Sequence, residues 1–188
     1  MYDNPELVQA VFARTGELIT GMYRKLLGLP HLVGSFQGDD MGFKTSTLVS
    51  PSFLRRHVLP WHKQLARLAH DHDLIYMLHS CGNLEAIMKD LIEDVRIDAR
   101  HSFEDAIMPV TSCKQKYGAR IGLLGGVDMD KLCRLAPEDL RRYVRELLAV
   151  CMPGGRYALG SGNTVANCVP LENYLVMLEE AFNWGRRP

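Results

Sequence analysis

His79 and Cys81 stand two residues apart at the end of an apolar run, Ile75-Tyr76-Met77-Leu78, and Gly82 and Asn83 follow at once. If the run is a strand, side chains alternate along it, so the imidazole and the thiol point the same way from its carboxyl end. One turn then offers a nitrogen and a sulfur to a borderline-soft cation, and zinc accepts both in tetrahedral geometry. Two ligands also fit a second reading, a buried thiol beside a histidine bonded to backbone. Asp39 and Asp40 lie in a Gly38-Asp39-Asp40-Met41-Gly42 stretch. Acids there either form the turn or orient a substrate donor and act as a base. His101 with Glu104, Asp128 after Gly125-Gly126, and Ser161 with Asn163 also follow short apolar runs.

The elements that must position these groups can be taken in order. Asn4-Pro5 is a helix-start signal. Leu7, Val8, Val11, Phe12, Leu18, Ile19, Met22, Tyr23, Leu26 and Leu27 then recur at helical steps, predicting one apolar face up to Gly28. Leu32–Phe36 reads as a strand that delivers Asp39 and Asp40. Ser50-Pro51 starts a second helix that Pro60 should kink or break, its second half running to about His72. His57, His62, His70 and His72 on it read as exposed or core-edge residues. After the His79-Cys81 strand come a helix through Leu84, Ile87, Met88, Leu91 and Ile92, a strand at Val95 to Ala99, and a helix from Pro109 to Tyr117 stopped by Gly118 in a left-handed cap position. A strand at Arg120–Leu124, a helix at Pro137–Cys151, a strand at Tyr157–Leu159 and a helix at Pro170–Phe182 complete the chain.

Strand, polar turn and helix thus alternate five times. That predicts an α/β fold of parallel strands joined by right-handed crossovers, in which every chemically notable group follows the carboxyl end of a strand. A (β/α) barrel and a doubly wound sheet both place chemistry there, so position does not choose between them. A full eight-unit barrel takes about 250 residues, whereas these five units consume all 188. The chain reads as a single domain, 1–188, or part of one.

Composition narrows the partners. Lys plus Arg and Asp plus Glu balance at 22 each, so no long-range field gathers nucleic acid or an anionic membrane, and a small-molecule or protein partner is expected. The odd, scattered Cys81, Cys113, Cys133, Cys151 and Cys168 argue for a reducing cytoplasm rather than a disulfide framework. With no apolar run near about 20 residues and no signal-like block in Met1-Tyr2-Asp3-Asn4-Pro5, a cytosolic protein is expected.

Four motifs in order carry a resemblance: GDDMGF followed by SPSFLRRHVLPW, then LHSCGN, then YGARIGLLGGVDMDKL, then LGSGNTVANCVPLENYLVMLEEAF. From about Leu32 onward they resemble the last five strands of the uroporphyrinogen decarboxylase superfamily, which includes zinc-dependent corrinoid methyltransferases. The resemblance implies a partial (β/α)8 TIM-type barrel holding strands four to eight. In the methyltransferase branch His79 and Cys81 would match two zinc ligands. In that branch a third ligand, a cysteine, stands where this chain has Ser161, and in the decarboxylases the same position is a histidine that contacts substrate; Ser161 matches neither. Cys168, His101 and Glu104 are the substitutes, with Glu104 preferred.

Asp39, Asp40 and Glu104 are the candidate catalytic acids, Asp39 and Asp40 lying where the resemblance has the family's fourth strand meet its pocket, and Gly126, Asp128, Ser161, Gly162 and Asn163 are the candidate substrate-binding residues. The Gly125-Gly126 pair would cradle an anionic group, unless it serves close helix-to-strand packing. Asn173 is expected to make a structural contact near the start of the last helix. The expected function is metal-assisted methyl transfer between a thiol or methyl donor and a corrinoid borne by a partner protein. The alternatives are porphyrinogen decarboxylation without metal and a non-catalytic binding or assembly module. With the earlier strands absent, self-association or a barrel-completing partner chain is expected.

Overall fold

The computed structural model describes residues 3–185; Met1 and Tyr2, the start of the amino-terminal stretch read above, lie outside it. Five strands, β1 (Gly34–Asp39), β2 (Ile75–Ser80), β3 (Ala99–His101), β4 (Gly122–Leu124) and β5 (Tyr157–Ala158), form one sheet in the order β1-β2-β3-β4-β5. Every pairing is parallel. Sequential order decides between the two architectures left open above. A doubly wound sheet reverses its order at a switch point, whereas right-handed crossovers between successive neighbours put all helices on one face, as in a barrel wall. The sheet is therefore an arc with β1 and β5 as open edges.

Along β2, Tyr76, Leu78 and Ser80 are buried while Ile75, Met77 and His79 are less so. Leu78 and Tyr76 join the core beneath the helices, and His79 faces the inner side of the arc, as the alternation predicts. β4 and β5 are shorter than their apolar runs by two residues and one, and the larger departures are at β1 and β3. β1 starts and ends later than expected because pairing, not hydrophobicity, sets its length: Gly34 to Asp39 match Ile75 to Ser80 residue for residue. β3 begins at Ala99, where Val95 to Ala99 was expected. Leu91–Val95 form a wide π turn closed by Arg96 in a left-handed conformation, which uses up the residues before it.

The helices are α1 (Pro5–Leu26), α2 (Pro51–His57), α3 (Leu59–His70), α4 (Met88–Asp90), α5 (Val110–Tyr117), α6 (Met129–Arg134), α7 (Pro137–Cys151) and α8 (Leu171–Trp184). Asn4 and Ser50 cap α1 and α2 through their side-chain oxygens. Val58 separates α2 from α3 just before Pro60, where the break was expected. The single helix expected after Asn83 is instead a 3-10 turn at Glu85–Ile87, the short α4, and the π turn. An overwound first turn and an underwound last one keep Leu84, Ile87, Met88, Leu91 and Val95 all in the core. Gly118 is right-handed, not left-handed: its N–H still reaches the Lys114 carbonyl and extends the helical turn.

α1 shows what the arc leaves undone. Tyr23 and Leu27 are buried, yet Leu7, Val11, Leu18, Met22 and Leu26 of the same predicted face are exposed, Leu18 by 58%. At the other end α8 exposes Leu171, Leu175 and Leu178. Val33, just before β1, and Phe36 within it are also exposed, Phe36 with one side of its ring against His79 and His101. The apolar surface thus lies at both ends of the arc. No helix among the described residues is long and apolar enough to cross a membrane.

Candidate functional site

The loop after β1 is locked onto the turn after β2. Met41 N–H donates to Ser80 Oγ at 3.0 Å, Gly42 N–H to the Cys81 carbonyl at 3.1 Å, and Asn83 N–H to the Phe43 carbonyl at 2.7 Å. The contact needs two glycines. A Cβ on Gly42 would lie 2.6 Å from the Cys81 carbonyl oxygen, and one on Gly82, whose φ is +80°, would lie 2.2 Å from the Gly42 carbonyl carbon. Backbone pressed to backbone in this way brings Asp40 over the turn, where its Oδ1 accepts the Cys81 N–H at 3.2 Å.

Asp40, His79 and Cys81 consequently form a group whose donor atoms all lie within 4.8 Å of one another. His79 Nε2 is 3.4 Å from Cys81 Sγ. Zinc bonds of about 2.0–2.1 Å to nitrogen and 2.3 Å to sulfur at a tetrahedral angle would put those atoms about 3.5 Å apart, so the pair already has the required span. The donor set suits the ion as well, with a thiolate, an imidazole and a carboxylate. Without a cation the thiol is held above its ordinary value, by burial first and then by the Asp40 carboxylate beside it.

Two imidazoles set which nitrogen of His79 faces Cys81 with its lone pair. The Ser161 carbonyl can only accept, so His101 Nε2, 3.1 Å away, carries a proton. Burial lowers the His101 pKa and keeps the ring neutral, which leaves Nδ1 as an acceptor. His79 Nδ1 lies 2.7 Å from that atom and must be the donor. The lone pair of His79 is thereby left on Nε2, the nitrogen beside Cys81. Gly125 makes room for this chain: at φ +90°, a Cβ there would meet the Ser161 carbonyl at 2.5 Å and His101 Nε2 at 2.9 Å.

The remaining predicted residues divide. Asn163 joins the group, its Nδ2 donating to Cys81 Sγ at 3.2 Å. Ser161 is close by, but its hydroxyl donates to the Asn163 carbonyl at 2.6 Å. Glu104 is not part of this group; the carboxylate in it is that of Asp40, which was expected among the catalytic acids. Glu104 lines an adjacent open cleft of about 420 Å³ with Asp105, Asp128, Asp130, Lys131 and Asn163. The Asp128 carboxylate is taken up by backbone, Oδ1 capping α6 through Asp130 and Lys131 and Oδ2 accepting the Asp105 N–H. Gly126 and Gly162 serve close packing: a Cβ on Gly126 would strike Val110, and one on Gly162 the Phe103 carbonyl.

Asp39 turns away from its neighbour Asp40. Its Oδ2 accepts from His62 Nε2 at 2.8 Å, and His62 Nδ1 meets the Tyr76 hydroxyl at 2.8 Å. Burial would raise the Asp39 pKa, but the His62 hydrogen bond and charge prevail and hold it below the ordinary range. Here the reading of His62 as exposed or core-edge is corrected: the residue is 4% exposed. Its signal was available, since His62 shares the buried face of α3 with Leu59, Leu65, Ala66 and Ala69. His57 and His70 are half-buried and His72 exposed, as expected. Asn173 is buried and bonds the carbonyls of Leu132 and Leu135, the structural contact expected of it.

Comparison with known proteins supplies the family. A methylated-thiol–coenzyme M methyltransferase of Methanosarcina mazei is 31% identical over 130 residues, 69% of this chain but 32% of the relative, so the chain spans about a third of that protein's length. A solved methyltransferase structure from Methanosarcina mazei superposes with a TM-score of 0.63 at 22% identity, covering 80% of this chain and 42% of the other, which is a likeness of fold. The family model described as uroporphyrinogen decarboxylase matches residues 1–184. Matched over nearly all its length, and with its strands in barrel order, the chain belongs to the uroporphyrinogen decarboxylase family.

Proposed function

We propose that this chain provides the zinc-binding part of a barrel that transfers a methyl group between a thiol or other small methyl donor and a corrinoid carried by a partner protein. The observation that supports this most is the Asp40, His79 and Cys81 group, three donors of the right types gathered within 4.8 Å, two of them, His79 and Cys81, already at the required span. A bound zinc ion would supply the Lewis acidity that keeps a substrate sulfur ionised, and so nucleophilic, near neutral pH. The chain's own residues prepare for that. His79 presents Nε2 because His101 and the Ser161 carbonyl hold its other nitrogen. Cys81 would hold the ion as a thiolate, its proton released to solvent, and the Asn163 amide, which donates to Cys81 Sγ, would steady that sulfur. Asn163 also lines the cleft, so a small molecule entering there arrives beside Cys81. In that cleft Glu104 is placed to take a proton from a substrate.

Porphyrinogen decarboxylation is disfavoured by the charge of the same cleft. Glu104, Asp105, Asp128 and Asp130 line it against one cation, Lys131, which already pairs with Asp105 at 2.7 Å. A substrate bearing several carboxylates would be repelled there. Emission spectroscopy of the purified chain tests the proposal. About one zinc per chain is expected, lost in Cys81→Ser and retained in Ser161→Ala. Unchanged zinc content in Cys81→Ser would contradict it.

A further inference from the structure

The geometry points to a second sulfur site outside the metal group: Cys133 and Cys168 form a reversible dithiol–disulfide pair that fastens the segment between β5 and α8 to α6. Their sulfurs are 3.1 Å apart although the residues are 35 positions apart in sequence. Cys113 and Cys151, by contrast, are buried in the core. A disulfide needs about 2.05 Å between sulfurs, so closing the bond asks for a movement of about 1 Å.

The two partners differ in a way that assigns their roles. Cys133 sits near the end of α6 on a fixed support, because the buried Asn173 amide bonds the carbonyls of Leu132 and Leu135 on either side of it. Cys168 is exposed and lies in the loop that begins with Ser161 and Asn163. The Cys133 thiol is held above its ordinary value, chiefly by the Cys168 sulfur next to it and also by burial. Exposure makes Cys168 the attacking sulfur and proximity makes Cys133 the resolving one.

The oxidant is a low-molecular-weight disulfide, RSSR. Cys168 Sγ, as thiolate, attacks one sulfur of RSSR, breaking its S–S bond and releasing one thiolate. Cys133 Sγ then attacks Cys168 Sγ in the mixed disulfide, forming the internal bond and expelling the second thiolate. The two protons lost by the protein thiols end on the two released thiols. The protein gives up two electrons and RSSR accepts them, so an excess of small thiol reverses the reaction. Fastening Cys168 to α6 shortens the free loop that carries Asn163, which touches Cys81, and Ser161, whose carbonyl holds His101. This pair is independent of the proposed methyl transfer and needs no metal.

Oxidised glutathione is the probe, with non-reducing peptide mapping by mass spectrometry on the full chain. The expected product is two hydrogens lighter and carries a cross-link between the peptides of Cys133 and Cys168, which dithiothreitol reverses. Cys133→Ser should accumulate a single glutathione adduct on Cys168. Backbone hydrogen exchange over residues 162–168 should slow on the order of tenfold on oxidation of the wild type. A lasting glutathione adduct on wild-type Cys168 with Cys133 still alkylated freely would overturn the pair. A bridge that forms equally fast in denaturant, or that leaves exchange over 162–168 unchanged, would overturn its fastening role.

Discussion

Replacing His101 by phenylalanine should weaken zinc binding without removing a ligand. In the wild type the His79 Nδ1–H ends on His101 Nδ1 at 2.7 Å, and the acceptor is itself set by the Ser161 carbonyl. Phenylalanine offers no acceptor, while its ring can occupy the same place against Phe36, whose centroid lies 5.7 Å from that of His101. His79 then either leaves a part-buried N–H unpaired or shifts its proton to Nε2 and loses the lone pair that faces Cys81. Leaving such a donor unmade costs about 1–3 kcal/mol. At about 1.4 kcal/mol per tenfold, the zinc dissociation constant should rise roughly 5- to 150-fold, within the range of about 10–100-fold found for groups that orient a metal-bound histidine. Competition against a chromophoric chelator at neutral pH measures it, and nitrogen NMR of the metal-free protein reads the His79 tautomer directly. His101→Gln, whose side-chain carbonyl can still accept, should recover most of the affinity. A His101→Phe protein that binds zinc within twofold of wild type, with an unchanged thermal midpoint, would refute the orienting role.

Other expectations follow from the same geometry. Asp39→Asn should lower stability by about 1–2 kcal/mol, seen as a lower thermal midpoint, because His62 loses a charged acceptor. Since the folded Asp39 carboxyl titrates below its ordinary 3.8, its contribution is present above that pH and fades as pH falls through the folded value, a step that acid titration of the variant should lack. Cys81 shifts the other way: its thiol is raised above 9.0 in the metal-free protein, so the stabilisation it contributes is present below that pH and is lost as pH rises through the folded value. Its alkylation by iodoacetamide should accordingly have a midpoint above that of a free thiol, and zinc should block it. The chain alone should show no porphyrinogen decarboxylase activity in a direct assay. Light scattering should find it associated through the exposed Leu18 and Met22 side of α1 and the Leu171 and Leu175 side of α8, and Leu18→Glu with Met22→Glu should reduce the mass; a stable wild-type monomer would refute that reading.

What was legible in the sequence is what local chemistry determines. Alternating apolar runs and helices revealed the parallel α/β arc, and period two placed His79 and Cys81 on one side of β2. Paired prolines and caps located the starts of α1 and α2 and the break before α3. The less legible features depend on what packs against what. β1 extends to a polar Asp39 because β2 is there to pair with it, and the stretch after Asn83 winds unevenly to keep five apolar residues on the sheet. The place of Asp40 beside His79 and Cys81 was not legible for the same reason. Asp40 reaches Cys81 because Gly42 and Gly82 let two loops press together, a tertiary contact with no periodic signature. His62, however, lay on a readable apolar face of α3. The Cys133–Cys168 contact joins residues too far apart in the chain for spacing to suggest it.

Cobalt(II) in place of zinc tests the central claim most directly, because its absorption reports both thiolate ligation and coordination geometry. One cobalt per chain is expected, with a tetrahedral visible spectrum and a near-ultraviolet charge-transfer band of one thiolate. The band should vanish in Cys81→Ser, weaken in Asp40→Asn, and persist in the Cys133→Ser, Cys168→Ser double variant. Stoichiometric cobalt without a thiolate band, or a band that survives Cys81→Ser, would contradict the assignment of Asp40, His79 and Cys81 as the metal centre.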